Sequence, residues 1–323
     1  MSKTNNGLTD TVRGNKNSGF QCWKRTVRAD FVKNRTTYLL AVPGIIFYLI
    51  FCYLPIGGII IAFKDYQPTL GIFSSPWVGL EHFRTFFGSV YFTRLLKNTV
   101  LLNLYGVVFG FPIPIILALM INEVRSPILK KSVQTMSYLP HFISLVVVCG
   151  IIIDFTSSNG LITGIVNFFG GNYKNMLTEP KLYRTIYICS DIWQGAGWGS
   201  IVYLAAISGL DMELYEAATI DGAKKWKQLI YITLPGIMPT IVVMFILRIG
   251  SIMSISADKT ILLYNPSVYE TADIISSYIY RKGLIENNQS FSTAVGLFNS
   301  LINCILVLSA NYLSKKYTEN GLF

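Results

Sequence analysis

"YLLAVPGIIFYLIFCYLPIGGIIIAF", residues 38–63, runs for 26 residues without a charged side chain. An α-helix rises about 1.5 Å per residue, so about 20 apolar residues cross a hydrocarbon core of about 30 Å. The charge-free stretch around the quoted residues spans 36–63, and five more of about 19 residues or longer follow it. They are residues 98–122, 132–153, 192–210, 228–247 and 289–314. The pattern predicts six transmembrane helices.

The composition supports an all-α integral membrane protein. Of the 323 residues, 52% are hydrophobic and only 14% are charged, and the mean hydropathy is +0.47. Soluble domains carry about 25% charged residues. The charged fraction is too small to cover a soluble globule of this size.

The distribution of Lys and Arg predicts the topology. Residues 1–35 hold eight Lys or Arg and two acids, and they lack the apolar core of a signal peptide. With the N-terminus inside, the inner segments carry 16 Lys and Arg in 70 residues, against 11 in 108 for the outer segments. The positive-inside rule therefore places both termini in the cytoplasm. We expect a basic cytoplasmic tail (1–35) with no nucleic-acid-reading motif, a six-helix transmembrane domain (36–318) and a short cytoplasmic C-terminal tail (319–323).

Residue types that commonly carry chemistry are sparse. The five cysteines have no CxxC spacing and are expected to be buried free thiols; they are Cys22, Cys52, Cys149, Cys189 and Cys304. His82 and His141 are 59 residues apart and lack companions at metal-ligand spacing. We expect no metal site and no catalytic residues, and a hydrogen bond from His141 to a neighbouring helix.

A polar island, "YEAATIDGAKKWKQLIYITLP" at residues 215–235, interrupts the apolar second half of the chain. One apolar helix face precedes its turn, formed by Leu210, Leu214, Ala217 and Ala218. Asp221 and Gly222 indicate a helix end, because Gly takes positive φ without steric cost. A second helix is expected from Ala223, with three lysines directed into water. The residues alone leave two interpretations open, an ordinary amphipathic connector or a stiff helix–turn–helix that transmits movement.

The spacing E-A-A-x(2)-D-G-A-x(10)-L-P resembles the EAA loop of permease subunits of bacterial ABC importers. The matching residues are Glu216, Ala217, Ala218, Asp221, Gly222, Ala223, Leu234 and Pro235. "PWVGLEHF" at 76–83 and the Leu139-Pro140 pair are similar to the carbohydrate-uptake branch of that family. The resemblance covers nearly all of residues 36–318.

This resemblance implies a type I ABC importer permease in the bacterial cytoplasmic membrane, one half of a pore for sugars, with an oligosaccharide favoured. It implies four kinds of partner: a second homologous permease, two ATPase subunits, an extracellular lipid-anchored sugar-binding protein and membrane lipid. The loop 211–227 would be the cytoplasmic coupling helix, with Glu216 contacting basic groups of the ATPase. The chain lacks the phosphate-binding pattern G-x-x-x-x-G-K-[ST]. We therefore expect no enzyme activity of its own and no bound cofactor, with ATP and Mg²⁺ on the partner ATPase.

Candidates for the substrate path are polar or aromatic residues within or beside the apolar stretches. Sugars present C–H faces that suit aromatic rings and hydroxyls that suit amides or carboxylates. The candidates are Asp191, Trp193, Gln194, Trp198, Asn299 and Asn303. Local pairing at the membrane interface, or helix packing, is the alternative interpretation of each.

Two other classes of protein remain as alternatives. A secondary transporter or channel for a small polar solute would be expected to show inverted repeats. A membrane-anchored enzyme would need a convergent polar cluster. Neither pattern is found in the sequence.

Overall fold

The structure is a computed structural model that describes residue 30 and residues 33–250, 253 and 257–318. This part of the chain is helical, with one isolated β-bridge between Lys64 and Trp77. The chain divides into two compact units, Met1–Gly58 and Ile59–Phe323. The predicted tail at 319–323, and nearly all of the predicted tail at 1–35, lie outside the described residues.

The helices follow one another with short connections. The α-helices are α1 (Arg35–Phe47), α2 (Gly71–Ser74), α3 (Glu81–Phe87), α4 (Phe92–Tyr105), α5 (Pro112–Glu123), α6 (Pro127–Tyr138), α7 (Leu145–Thr156), α8 (Leu161–Phe168), α9 (Pro180–Ser208), α10 (Met212–Ile220), α11 (Lys225–Gln228), α12 (Leu234–Gly236), α13 (Met238–Gly250), α14 (Ala257–Leu263), α15 (Tyr269–Ala272), α16 (Ile275–Tyr280) and α17 (Gln289–Thr318). Segments of π-helix lie at Tyr48–Tyr53, Gly106–Gly110, Leu229–Thr233 and Arg281–Ile285. Segments of 3-10 helix lie at Leu54–Phe63, Leu139–Phe142, Met176–Thr178 and Pro266–Val268.

Four helical stretches of the described chain are long and apolar enough to cross a membrane. They are Arg35–Phe63, Phe92–Glu123, Leu145–Phe168 and Gln289–Tyr312. A fifth is obtained if the bent pair Lys225–Gly236 and Met238–Gly250 counts as one span. Helix α9 has 29 residues but is outside this set. It carries Asp191, Gln194 and three glycines within its length, which lowers its hydropathy. Length and apolarity thus support four or five spans, and the predicted six are not confirmed by this criterion.

Residues 132–153, predicted to form one membrane helix, are broken in two. Helix α6 ends at Tyr138, and the 3-10 turn that follows contains Pro140, which lacks the N–H needed to continue a helix. Ser144 then caps α7 by accepting a hydrogen bond from the Val147 amide at 3.4 Å. The single-helix prediction is wrong here, and the apolar candidate is displaced to Leu145–Phe168.

The predicted bend near two prolines is present. The axis turns by 59° between Lys225–Gly236 and Met238–Gly250. Pro235 and Pro239 flank the turn, and each removes a backbone donor that a straight helix would use.

Helix α9 is the central element of the packing in the larger unit. It packs along α5 and also contacts α6, α13 and α15. A buried cluster joins it to α4, α7 and α14 through residues that include Leu102, Val148, Tyr183, Tyr187 and Leu263. Its close approach to α6 requires a glycine, because a Cβ at Gly197 would overlap the Ser137 carbonyl.

The described cysteines are free thiols, as predicted, but most are not buried in this chain. Cys149 is buried, whereas Cys52, Cys189 and Cys304 are exposed. The prediction of burial is therefore wrong for these three. Cys22 lies outside the described residues.

Candidate functional site

The polar island forms a helix, a glycine turn and a second short helix. Asp211 begins α10 by accepting a hydrogen bond from the Glu213 amide at 2.9 Å. Asp221 follows the last turn, and Gly222 adopts φ +76°. The Ala223 amide donates back to the Ala218 carbonyl at 2.8 Å. The turn is where the sequence predicts it, although the second helix begins at Lys225, two residues later than expected.

A buried glutamine joins the two helices across the turn. The Gln228 side chain, with 6% of its surface exposed, donates to the Thr219 hydroxyl at 2.8 Å and to the Ala223 carbonyl at 3.2 Å. A second connection joins the Tyr215 and Thr233 hydroxyls at 2.9 Å. These contacts tie α10 to the beginning of the bent apolar helix pair.

The rest of α10 is exposed. The predicted apolar face is not buried against the described chain: 54% of the Leu214 surface is accessible, and Ala217 is also exposed. Packing within a helix hairpin would have buried this face, but the short helix after the turn covers little of it. The Glu216 carboxylate is also exposed, and no ion pair or hydrogen bond of its side chain is found in the part of the chain described. Helix α10 therefore presents an acidic side chain on a surface that the described part of the chain leaves open.

A broad groove lies beside α10. It has a volume of about 1370 Å³ and is lined by α5, α10 and the residues that follow Gly222. Its walls are mainly apolar, with Met120, Ile220 and Trp226 among the exposed side chains. Lys225 forms an exposed ion pair with Glu123 at 3.5 Å near this groove.

Leu234 and Pro235 lie in α12, which follows the two helices of the polar island in the chain. Leu210 packs directly onto Gly236, where a Cβ would lie 2.6 Å from a Leu210 methyl group. Leu210, two residues after the end of α9, is thus in contact with the last residue of α12.

Of the substrate-path candidates, Asp191 lines a cavity of about 360 Å³ between α5, α9 and α13. Its carboxylate lies 3.3 Å from the Lys259 ammonium, whose side chain is 3% exposed, while Asp191 itself is 48% exposed. Arg248 of α13 lines the same cavity. Asp191 therefore has both proposed features, a local ion pair and access to a cavity.

Trp193 lies away from Asp191. Two residues along an α-helix turn through about 200°, so the side chains face opposite sides. Trp193 lines a different cavity, of about 520 Å³, with Phe155, Ile162 and Cys189. The structure does not bring Trp193 to the Asp191 cavity.

Trp198 forms an aromatic platform with His141. The two rings stack with their centroids 4.6 Å apart and an interplanar angle of 3°, and Phe142 meets Trp198 edge-on at 5.7 Å. Trp198 is 46% exposed, and Gln194 lies one helical turn before it and is half-buried. His141 is exposed and stacks on a ring, so its predicted hydrogen bond to a neighbouring helix is not found in the described structure.

Asn299 and Asn303 lie on α17 and face its packed side. The side-chain Oδ1 of Asn303 accepts a hydrogen bond from the Met253 amide at 2.9 Å. Asn299 is 9% exposed, and its side-chain oxygen has no partner among the described residues. Neither lines the cavity that contains Asp191. The structure thus separates the six candidates into four locations.

Comparison with known proteins identifies the family. Residues 110–319 match the family described as "Binding-protein-dependent transport system inner membrane component". The chain belongs to this family. It is a membrane-spanning permease subunit of an ABC importer with the type I fold, and ATP hydrolysis resides in a separate subunit.

Similar proteins include two from Bacillus subtilis (strain 168). The polygalacturonan/rhamnogalacturonan transport system permease protein YteP is 45% identical over 293 residues, which cover 90% of this chain and 91% of YteP. Protein LplB is 42% identical over 292 residues, covering 90% and 92%. A solved bacterial ABC transporter involved in the import of the acidic polysaccharide alginate contains a chain with 45% identity and a TM-score of 0.83, covering 91% of this permease and 99% of that chain.

The permease also contains a buried charge cluster that the sequence did not single out. Asp273 is fully buried and lies 2.7 Å from Arg281 and 3.6 Å from Arg94. Burial tends to lower the pKa of Arg281, but the hydrogen bonds and charge of Asp273 outweigh it and raise that pKa above the ordinary value. Arg184 extends the cluster by donating to the Asn98 side chain at 2.7 Å. The cluster fixes α4 against α15 and α16.

Proposed function

We propose that this permease is the transmembrane half-pore of an ATP-driven importer for oligosaccharides. The observation that carries the proposal is the exposed helix–turn–helix, which is fastened to the bent helix pair and presents Glu216 on an unoccupied surface. In this role α10 is the coupling helix, and the three hydrogen bonds carry its displacement into α12 and α13.

The cargo is inferred from relatives and from the aromatic platform. Similar proteins are named for the transport of polygalacturonan, rhamnogalacturonan, arabinooligosaccharides or alginate. The stacked pair of Trp198 and His141, together with Gln194, offers the ring face and the amide that a sugar needs. Asp191 supplies a carboxylate at a separate cavity.

The proposed assembly has four further components. It contains a second homologous permease, two ATPase subunits that bind ATP and Mg²⁺, and an extracellular lipid-anchored sugar-binding protein. A solved alginate transporter is in complex with a periplasmic protein that carries an alginate pentasaccharide, which supports the last component. Membrane lipid surrounds the apolar helices, and nucleic acid has no role.

The proposed topology places six spans in the bacterial cytoplasmic membrane with both termini in the cytoplasm. The span that hydropathy alone leaves out is α9, the fourth in chain order, whose 29 residues at about 1.5 Å each give a length above the hydrocarbon thickness. Residues 1–35 and 319–323 are the cytoplasmic tails, 36–318 are the permease domain, and 211–227 form the coupling loop. Cysteine labelling of the two tails in sealed cells tests this arrangement, and labelling of either tail from outside would contradict it.

The coupling role is tested by reversing one charge. We expect Glu216→Lys to abolish co-purification of the ATPase and the stimulation of ATP hydrolysis by loaded binding protein. Glu213→Lys is the matched control, since Glu213 is exposed on the same helix, and it should retain most of both activities. If Glu216→Lys leaves ATPase association and stimulation intact, α10 is not the coupling helix.

A further inference from the structure

An apolar cavity of about 520 Å³ lies between α7, α8 and α9. Its volume falls within the range of about 300–1,000 Å³ typical of small-molecule sites. Most of its lining side chains are apolar, and Phe155, Leu161 and Trp193 are among those that remain exposed. Two of the three hydroxyl groups in the lining, those of Thr156 and Ser190, donate to backbone carbonyls of their own helices. The cavity therefore suits a hydrocarbon ligand.

The cavity lies on the side of α9 that faces away from Asp191. Thr185, Cys189 and Trp193 line it at intervals of four residues and so form one face of the helix. Asp191 is two residues from both Cys189 and Trp193, which is about 200° around the helix. From Thr185 to Trp193 the face advances about 12 Å, while one leaflet of a hydrocarbon core of about 30 Å is about 15 Å deep. The face thus has the depth of about one leaflet.

Two exposed lysines lie at the loop end of this cavity. Lys181 is one helical turn before Thr185 on the same side of α9. Lys174 is two residues before Met176, which is buried in the cavity wall. Among the described residues, neither ammonium group has a hydrogen bond or an ion pair. The loop end of an apolar cavity therefore carries two available positive charges.

The nearby acids do not cancel this charge. Residues 172–185 hold three basic residues and a single acid, Glu179. Asp154 is exposed near the end of α7, but it is two residues from both Ile152 and Thr156. Since Ile152 and Thr156 line the cavity, Asp154 faces away from it. The balance of charge at the loop end favours an anion.

The loop that carries Lys174 is held on both sides. The Asn167 side chain donates to the Tyr173 carbonyl at 2.9 Å and accepts from the Tyr173 amide at 2.9 Å. On the other side, Asn175 accepts from the Leu177 amide at 2.9 Å and begins a 3-10 turn. The backbone of Lys174 is therefore fixed close to the cavity wall.

We propose that this cavity binds one acyl chain of an anionic phospholipid, with the lipid phosphate at Lys174 and Lys181. Lysine is a point charge suited to a phosphate group. A neutral lipid would leave both lysines unpaired, and a free phosphate would leave the apolar wall empty. In the proposed topology the site lies in the outer leaflet. The inference goes beyond the transport role, because it requires only that the chain spans a membrane.

Lipid titrations of the complete importer in detergent, read by native mass spectrometry, test the headgroup. The probes are phosphatidylglycerol, phosphatidylcholine with the same chains, and glycerol 3-phosphate as the headgroup alone. A lysine near an anionic headgroup contributes about fivefold in affinity, which corresponds to about 1 kcal/mol. Lys174→Gln and Lys181→Gln should therefore each weaken phosphatidylglycerol binding about fivefold. Lys97→Gln is the matched control, since Lys97 is also exposed, and it should bind as wild type does.

Brominated acyl chains test where the lipid lies, because bromine quenches tryptophan fluorescence on contact. In nanodiscs of phosphatidylcholine, a small fraction of brominated phosphatidylglycerol should quench Trp193 more than the same fraction of brominated phosphatidylcholine. The Trp193 signal is the difference between wild type and Trp193→Phe. Cys189→Phe narrows the cavity and should remove the preference, whereas Cys304→Phe, at an exposed cysteine of α17, should keep it.

The results that overturn the inference are distinct. Equal affinity for the two phospholipids, or lysine variants that behave like Lys97→Gln, would show that the lysines hold no headgroup. Binding of glycerol 3-phosphate as tight as that of phosphatidylglycerol would show a site for free phosphate. A Trp193 signal without preference for the anionic lipid would place that lipid elsewhere. The lysine variants decide the matter even if Cys189→Phe does not fold, and none of these measurements depends on the cargo.

Discussion

Replacing Gln228 by Met tests whether the hairpin is held as a unit. Methionine has nearly the same length and fills the same buried space, but it cannot donate the two hydrogen bonds to Thr219 and Ala223. Each bond contributes about 0.5–1.5 kcal/mol net, and the Ala223 carbonyl loses its side-chain partner. We expect the hairpin to lose about 2 kcal/mol of local stability.

Hydrogen exchange measures this loss directly. A change of about 2 kcal/mol in the opening free energy accelerates exchange about 30-fold, because each 1.4 kcal/mol is a factor of ten. The acceleration should be confined to amides of residues 212–228, with α9 and α17 unchanged. Lys227→Met is the matched control, since Lys227 is exposed beside Gln228, and its exchange should follow wild type.

The same variant has a functional consequence. A loosened hairpin absorbs movement, so binding-protein-stimulated ATP hydrolysis of the assembled importer should fall while the basal rate is kept. Acceleration of less than about threefold in 212–228 would refute the reasoning, because the hydrogen bonds would then contribute below the usual minimum. Fast exchange with unchanged coupling would show that the hairpin is held by the ATPase rather than by Gln228.

Three further predictions concern stability and geometry. Asp273→Asn should destabilise the detergent-purified permease by about 3–5 kcal/mol in thermal unfolding, because it leaves the buried arginine charge unpaired. Glu286→Gln removes only a surface ion pair and should cost at most about 1 kcal/mol. Gly197→Ala should lower the free energy of unfolding by about 1–3 kcal/mol, because the added methyl group overlaps α6. Gly195→Ala on the same helix meets open space and should leave stability unchanged, so equal melting temperatures of the two variants would disprove the packing argument. Gly222→Ala should lower the stability of the hairpin by about 1–2 kcal/mol because Gly222 has a φ of +76°, and Gly222→Asn should lower it less. If hydrogen exchange in the hairpin were unchanged in the Ala variant, the turn geometry would be contradicted.

Charge-free runs predicted most membrane helices but not their continuity. The run at 289–314 corresponds to α17, and the run at 228–247 to the bent pair, whose prolines are visible in the sequence. The run at 132–153 also contains a proline, but a count of charges does not register the backbone N–H that proline lacks. A new helix then begins after Ser144, which caps it, so the apolar helix lies further along the chain than the charge-free run.

The site was predictable where local chemistry determines it. The Asp221-Gly222 pair specifies its own turn, so the hairpin follows from the sequence. The ion pair of Asp191 joins residues 68 positions apart, and no local pattern indicates that contact. The sequence does not distinguish Gln228 from other amide side chains, because its partners Thr219 and Ala223 come within reach only when the turn forms. Helical periodicity alone, however, would have separated Trp193 from Asp191.

The isolation of the α10 surface affects how the importer can evolve. This surface belongs to none of the buried clusters, and α10 is fastened mainly by Tyr215, Thr219 and their hydrogen bonds. Substitutions on its outer side leave the membrane-embedded packing untouched. In the proposed coupling role of α10, partner choice could therefore change from one ATPase to another while the membrane-embedded part stays the same. The proposed role would then allow one ATPase to serve several permeases with different substrates.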